Sequence, residues 1–131
     1  MNGYVLDTHT MLWWVSNDRR IGRKAERAIE SSRRVLVSDV TLWEIAIKSG
    51  AGRLSIQPDV GTWFEHHTVV NRFAPLPIRR PHLTRVATLA RNHGDPFDRL
   101  LIAQALVEDL TIITVDRVFA TYGVSVLEAD A

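Results

Sequence analysis

Short apolar runs that end in acidic or hydroxyl side chains constrain the fold of this 131-residue chain most strongly. Continuous apolar runs of this length are typical of strands that are buried on both faces of a sheet. Helical patterns separate these runs, which favours an α/β fold with a mostly parallel, twisted sheet and helices on both of its faces. The runs are Gly3 to Leu6 before Asp7, Val35-Leu36-Val37 before Ser38-Asp39, and Leu110 to Val115 before Asp116, with a last strand at Val124 to Leu127.

Length and composition limit the class of protein. The length predicts one domain, residues 1–131, that buries about two-thirds of its unfolded surface. Hydrophobic residues make up 46% and charged residues 24% of the chain, which excludes a disordered or membrane protein. The absence of cysteine is typical of a protein from a reducing cytosol and leaves oxygen or imidazole to hold any metal. Met1 to Asp7 is too short for a signal peptide or a membrane span.

The stretch Asn92 to Ala105, NHGDPFDRLLIAQA, places two carboxylates at the start of a helix. Asp95 has the features of an N-cap, and Pro96 fits the first helical position, where a missing N–H costs nothing. Asp98, in the first turn, shares a face with Leu101, Ile102 and Ala105. A carboxylate on an apolar face requires a counter-charge or a metal to offset its desolvation, so Asp98 is the stronger candidate for a functional acid.

A second acid lies in the segment Val40 to Ser49, VTLWEIAIKS. This helix is apolar nearly all round, and we expect it to be buried. Glu44 and Lys48 are four residues apart, which is the spacing of an ion pair along one helix. Glu44 is also flanked by apolar residues on its own side, so a carboxylate that points into the interior is the alternative interpretation.

Three further segments have simpler interpretations. Residues 21–31 form an amphipathic helix with its basic side chains in solvent, and a helix is expected around the apolar positions from Leu83 to Ala90. The prolines of Phe73 to Pro81 predict an extended segment. The spacing of His82 and His93 gives no indication that either binds a metal.

Asp7, Glu44, Asp98 and Asp116 each lie at the end of a strand or in the early turns of a helix. Ligands of open parallel sheets bind at the carboxyl ends of the strands, so the four acids are expected to converge there. Clustered carboxylates repel one another unless they take up protons or bind a cation. Mg²⁺, with Mn²⁺ as a substitute, prefers such oxygen ligands and supports hydrolysis of phosphodiesters.

The chain resembles the PIN-domain ribonucleases, and among them the VapC-type toxins of bacterial type II toxin–antitoxin modules. Four segments in order carry this resemblance over nearly the whole length. They are LDTH at 6–9, LWEIAIK at 42–48, DPFDRLLIAQA at 95–105 and TVD at 114–116. Gly94 departs from the pattern, because close relatives often have an arginine before DPFDR.

The resemblance implies a cytoplasmic, metal-dependent endoribonuclease that cuts structured RNA of the tRNA or rRNA class, forms a homodimer and is silenced by an antitoxin. It also implies that the four acids named above are the catalytic, metal-binding residues. Thr8 and Thr114 would support them by hydrogen bonds, and Asp95 would be a fifth acid with a supporting or structural role. Arg99 would contact the substrate or pair with an acid.

Two other functions remain open. Asp7 after the first strand is also the position of the nucleophile in aspartyl-phosphate enzymes such as haloacid-dehalogenase-like phosphatases. Those phosphatases have a second Asp two residues later, where this chain has His9. The other alternative is a catalytically silent module that binds RNA or protein, for which the loss of at least one acid is expected. All four acids are present.

Overall fold

The computed structural model describes residues 3–131. Met1 and Asn2, which belong to the stretch considered above as a signal peptide, lie outside the described residues. Five parallel strands form one sheet in the order β3-β2-β1-β4-β5, which confirms the predicted α/β class. The strands are β1 (Tyr4–Leu6), β2 (Val35–Ser38), β3 (Ala74–Leu76), β4 (Thr111–Thr114) and β5 (Val126–Glu128).

Six α-helices and one 3₁₀ helix are found among residues 3–131. The α-helices are α1 (Thr8–Val15), α2 (Arg23–Ser31), α3 (Asp39–Gly50), α4 (Val60–Val70), α5 (Arg80–Val86) and α6 (Pro96–Glu108), and the 3₁₀ helix is Arg117–Tyr122. None of the helices in this part of the chain is long and apolar enough to cross a lipid bilayer.

Alternate side chains of the strands face two apolar cores, because successive residues of a strand point to opposite faces. On one face Val5, Leu36 and Ile112 pack against Leu101, Ile102 and Ala105 of α6. On the other face Leu6, Val37 and Ile113 pack against Met11 of α1 and Ala25 and Ile29 of α2. Both faces of the sheet are therefore covered, as the continuous apolar runs predict.

The register of the central strands brings their carboxyl ends to one level. Leu6 of β1 aligns with Val37 of β2 and with Ile113 of β4. The residues that follow these three along the chain are Asp7, Ser38 and Thr114, and all of them are buried. The sheet itself therefore places polar side chains from three segments along one edge.

The helix expected from Leu83 to Ala90 is earlier and shorter than predicted. It spans Arg80–Val86, so Pro81 lies in its first turn rather than in an extended segment. Proline is tolerated there because the first N–H groups of a helix have no partner within the helix. Leu83 is 52% exposed, whereas Leu89, beyond the helix, is buried. The pattern therefore predicted a helix in this region correctly, but its position along the chain and its buried side were wrong.

Two other boundaries differ from the prediction by a few residues. The basic helix begins at Arg23 with Gly22 as its N-cap, and its basic residues Arg23, Lys24 and Arg27 are exposed, as predicted. The last strand begins at Val126 rather than Val124.

The expectation that α3 is buried all round is wrong for one side. Trp43 and Ile47 are 45% and 47% exposed, although Val40, Glu44 and Ile45 on the other side are buried. The apolar content of the helix therefore includes a strip that contacts solvent, and Trp43 meets the ring of Phe97 from α6 edge-on, with 4.6 Å between centroids.

A buried polar contact connects α3 to α6. Ser38 caps α3 by accepting a hydrogen bond from the N–H of Val40, and its hydroxyl donates to Oε1 of Gln104 at 2.5 Å. Gln104 is fully buried in the middle of α6 and also donates to the carbonyl of Pro77. Because a buried amide requires its partners, this contact fixes the helix that carries Glu44 relative to the helix that carries Asp98.

Candidate active site

Asp7 lies at the end of the central strand and is only 4% exposed. Its Oδ1 accepts a hydrogen bond from the N–H of Thr10 at 2.8 Å and so caps α1. Its Oδ2 accepts a hydrogen bond from Thr114 Oγ1 at 2.5 Å. Burial raises the pKa of the Asp7 carboxyl, and the hydrogen bonds from Thr114 and Thr10 oppose that rise. The carboxylate is therefore fixed in position, but burial makes its charged form less favourable than it would be in water.

Thr114 links Asp7 to Asp116. The hydroxyl that donates to Asp7 also accepts a hydrogen bond from the backbone N–H of Asp116 at 3.0 Å. Asp116 in turn caps the 3₁₀ helix, because its Oδ1 accepts from the N–H of Val118 at 3.0 Å. The other oxygen, Oδ2, lies 3.5 Å from Nε2 of His93, and the Asp116 side chain is 41% exposed.

Glu44 is buried and also forms an ion pair with Lys48, so both interpretations of its sequence environment apply. It is 5% exposed, and its Oε2 lies 2.6 Å from Lys48 Nζ, as the four-residue spacing predicts. Its Oε1 accepts a hydrogen bond from Thr8 Oγ1 at 2.6 Å. Thr8 is the residue after Asp7, so this hydrogen bond joins the start of α1 to the middle of α3. Both threonines proposed as supports thus contact an acid.

Asp98 has the most strongly perturbed environment of the half-buried acids. Its Oδ2 lies 2.8 Å from Nε2 of His93. Burial first, and then the charges of Asp95 and Glu44, raise the pKa of Asp98 to about 6 against the opposing effect of His93. A carboxyl with a raised pKa in a cleft is a common property of functional sites.

The remaining two candidates have structural contacts. Asp95 is the N-cap of α6, and its Oδ1 accepts from the N–H groups of Phe97 at 2.8 Å and Asp98 at 3.2 Å. The guanidinium of Arg99 donates to the carbonyl of Ala90 at 2.7 Å and to that of His93 at 3.4 Å. Arg99 therefore fastens the segment between α5 and α6, a role that neither interpretation of its sequence environment included.

The structure brings Asp98, Asp116 and His93 together, with one potential ligand atom from each residue within 4.8 Å of the others. Asp7 is linked to Asp116 of this group by the hydrogen bonds of Thr114. Glu44 is close enough for its charge to raise the pKa of Asp98. Carboxylate oxygens and one imidazole nitrogen at such distances suit a divalent cation. The residues therefore fit a divalent cation, as the sequence predicts, but they include an imidazole that the prediction left out.

His93 was missed in the sequence, where its spacing gave no indication of metal binding. It lies five residues before Asp98 and in the segment that precedes α6. Two ligands on one helix are recognised by a spacing of three or four residues. His93 lies in a loop, where no such spacing applies. Only the folded position of the segment brings its imidazole to the acids.

We expect Thr114→Val to lower the free energy of unfolding by about 1–3 kcal/mol, because the buried Asp7 carboxyl loses a donor and the Asp116 N–H loses an acceptor. Thr114→Ser, which keeps the hydroxyl, should lose much less. Urea denaturation with a chelator present measures both. Thr111→Val is the matched control in the same strand, since the hydroxyl of Thr111 donates to Ser125 rather than to a carboxylate. Equal losses at Thr111 and Thr114 would contradict the special role of Thr114.

We expect Asp98→Asn to stabilise the metal-free protein at about pH 8. The rise in pKa from 3.8 to about 6 means that the folded protein holds its charged form at a cost. At ~1.4 kcal/mol per unit this cost is at most about 3 kcal/mol, and partial exposure reduces it to ~2 kcal/mol.

Because the folded pKa lies above the unfolded one, the cost is absent below about pH 4, develops between pH ~4 and ~6, and is complete above this range. The stability gain of Asp98→Asn should therefore shrink to near zero at about pH 4, which denaturation across this range measures. A gain that does not depend on pH would show that the charge is not its cause.

Comparison with known proteins agrees with this geometry. The family model described as "PIN domain" matches residues 4–124. The chain is 28% identical over 120 residues to Ribonuclease VapC22 of Mycobacterium tuberculosis, with 89% of each protein covered. These findings confirm the resemblance that the four sequence segments carry.

Solved structures with the same fold come from several bacteria. A chain of VapBC2 from Rickettsia felis, bound to a DNA fragment from its promoter, superposes with a TM-score of 0.72 at 12% identity, with 95% of this chain and 96% of that chain covered. A chain of DNA-bound VapBC from Salmonella typhimurium has a TM-score of 0.66 at 23% identity, with 97% and 98% covered. From the family match and the shared fold together, this chain belongs to the PIN domain family.

Proposed function

We propose that this protein is a metal-dependent endoribonuclease that hydrolyses phosphodiester bonds of structured RNA, of the tRNA or rRNA class. The observation that carries the proposal is the grouping of Asp98, Asp116 and His93 beside the buried acids Asp7 and Glu44 at one edge of the sheet. Ribonuclease VapC22, a relative that aligns with 89% of the chain, supports RNA as the substrate.

We assign Asp7, Glu44, Asp98 and Asp116 as the acids that hold Mg²⁺, or Mn²⁺ in its place. When bound, such a cation activates water, orients the phosphate and stabilises charge on the leaving oxygen. Asp98 and Asp116, the more exposed of the four acids, would contact the cation directly. Asp7 and Glu44, whose oxygens already accept hydrogen bonds from threonines, would hold the cation through water and would add negative charge to the site.

The alternatives receive less support. An aspartyl-phosphate enzyme needs a nucleophile that a phosphate can reach, whereas Asp7 is buried with both oxygens in hydrogen bonds. A catalytically silent module is expected to have lost at least one of the four acids, and all four are present.

We propose an antitoxin as the protein partner and the cytoplasm as the place of action. The structural neighbours from Rickettsia felis and Salmonella typhimurium are both VapBC assemblies bound to DNA, which supports a partner of the same kind for this chain. The absence of cysteine is compatible with a reducing compartment.

The decisive experiment is cleavage of total cellular RNA by the purified, antitoxin-free protein with Mg²⁺, with Mn²⁺ or with a chelator. We expect discrete fragments that need the cation, and we expect Asp98→Asn to reduce cleavage by about a hundredfold or more, because a neutral amide no longer offsets the cation's charge.

Asp95→Asn is the matched control, since it makes the same chemical change three residues earlier. An N-cap Asn serves nearly as well as Asp, so we expect this variant to retain most of its activity. Equal losses in the two variants would assign Asp95 to the catalytic set. No cleavage with any cation, in a folded protein that still binds RNA, would overturn the proposal in favour of a binding module.

We also propose that the protein forms a homodimer, as the family resemblance implies. The exposed side chains of Trp43 and Ile47 provide an apolar strip on α3 that a second copy would cover. We expect sedimentation equilibrium to give twice the 14.8 kDa chain mass and Ile47→Lys to weaken self-association by about tenfold or more. A monomer at all concentrations would refute the homodimer, and unchanged self-association of Ile47→Lys would exclude this strip.

A further inference from the structure

His93 lies between the two more exposed acids of the site, and the resemblance assigns it no role. We propose that Nε2 of His93 is a direct ligand of the divalent cation, together with Asp98 and Asp116, and that this nitrogen makes the site select Mn²⁺ over Mg²⁺. The inference rests on the proposed function, because both concern the same cation. It adds a ligand and a metal preference that the four acids alone do not imply.

The distances between the ligand atoms support direct coordination. Two ligands at right angles, each about 2.1 Å from one ion, are separated by about 3 Å. Nε2 of His93 lies 2.8 Å from Oδ2 of Asp98 and 3.5 Å from Oδ2 of Asp116. All three ligand atoms lie within 4.8 Å of one another. The two separations that involve Nε2 of His93 are therefore close to those of neighbouring positions around an octahedral ion.

Each of the three residues is held by a contact that does not involve its ligand atom, although the ligand atoms of His93 and Asp98 share a hydrogen bond that coordination would replace. Asp98 is in the first turn of α6, whose start is capped by Asp95. Asp116 uses its Oδ1 to cap the 3₁₀ helix, which leaves Oδ2 for a ligand role. The backbone at His93 is fastened by Arg99, which donates to its carbonyl at 3.4 Å.

The ring of His93 is also seated against the core. It lies 6.4 Å from the ring of Phe119, centroid to centroid, at an angle of 55°. Phe119 is fully buried, so one side of the His93 ring faces the core rather than solvent. Such preorganisation favours binding, because fewer side-chain rotamers are lost when the cation arrives.

The ligand types predict the metal preference. Mg²⁺ takes oxygen ligands almost throughout and keeps several waters, whereas imidazole suits transition metals better. Mn²⁺ accepts carboxylates and also an imidazole nitrogen. A site of two aspartates and one histidine therefore discriminates against Mg²⁺ more strongly than an all-carboxylate site would.

Electron paramagnetic resonance of the Mn²⁺-loaded full chain tests the nitrogen ligand directly. We expect electron spin-echo modulation from a directly coordinated ¹⁴N nucleus in the wild type, replaced by the ¹⁵N pattern when the histidines are labelled. His93→Gln should abolish this signal. Titration calorimetry should show that His93→Gln weakens Mn²⁺ binding by about tenfold or more while Mg²⁺ affinity changes by less than about threefold.

His9→Gln is the matched control, because His9 lies in α1 two residues after Asp7 and is exposed. We expect this variant to keep the nitrogen signal and the Mn²⁺ affinity of the wild type. Thermal melts of both variants check that the fold is intact. Loss of the signal in His9→Gln, or its persistence in His93→Gln, would overturn the proposal.

The outcomes separate this inference from the proposed function. Metal-dependent RNA cleavage with no nitrogen coupling would reject His93 as a ligand and leave the ribonuclease proposal standing. Nitrogen coupling without RNA cleavage would support the ligand and reject the ribonuclease. Absence of both metal binding and metal-dependent cleavage would overturn both.

Discussion

The hydrogen bonds of the Asp7 carboxylate are the interactions on which the rest of the site depends. Asp7 ends the central strand, starts α1 through Thr10 and accepts a hydrogen bond from Thr114 at the end of the neighbouring strand β4. Charge is costly there because the side chain is buried. The surrounding donors offset that cost, and the same donors align the two strand ends that deliver Asp7 and Asp116.

Glu44 and Asp98 come from different helices, and a buried amide holds those helices together. Glu44 comes from α3 and Asp98 from α6, and Gln104 of α6 accepts a hydrogen bond from Ser38 at the start of α3. A change at Gln104 would therefore alter the separation of the acids without contacting either of them. Packing of apolar side chains alone would not specify this separation as strictly, because it is not directional.

Much of the fold could be predicted from the sequence, because buried parallel strands have a one-dimensional signature. The apolar runs before Asp7 and Asp116 were sufficient to place both acids at the carboxyl edge. The N-cap role of Asp95 followed from Pro96 and the spacing to Asp98, since capping is a local property. Which side of α5 is buried was not predictable in the same way. Leu83 and Leu89 are the same type of residue, and only the tertiary contacts decide which one is buried. His93 and Arg99 were interpreted incompletely for a related reason, since their contacts are made by an irregular segment.

Asp7, Ser38, Asp95 and Asp116 each cap the start of a helix, and all four caps accept hydrogen bonds from backbone N–H groups. In a parallel α/β sheet the helices begin at the edge where the strands end, so several positive helix ends face the acids. These backbone dipoles act as a permanent, covalently attached counter-charge that does not dissociate or depend on ionic supply. The folded backbone therefore offsets part of the negative charge of these carboxylates itself, whether or not an ion is bound.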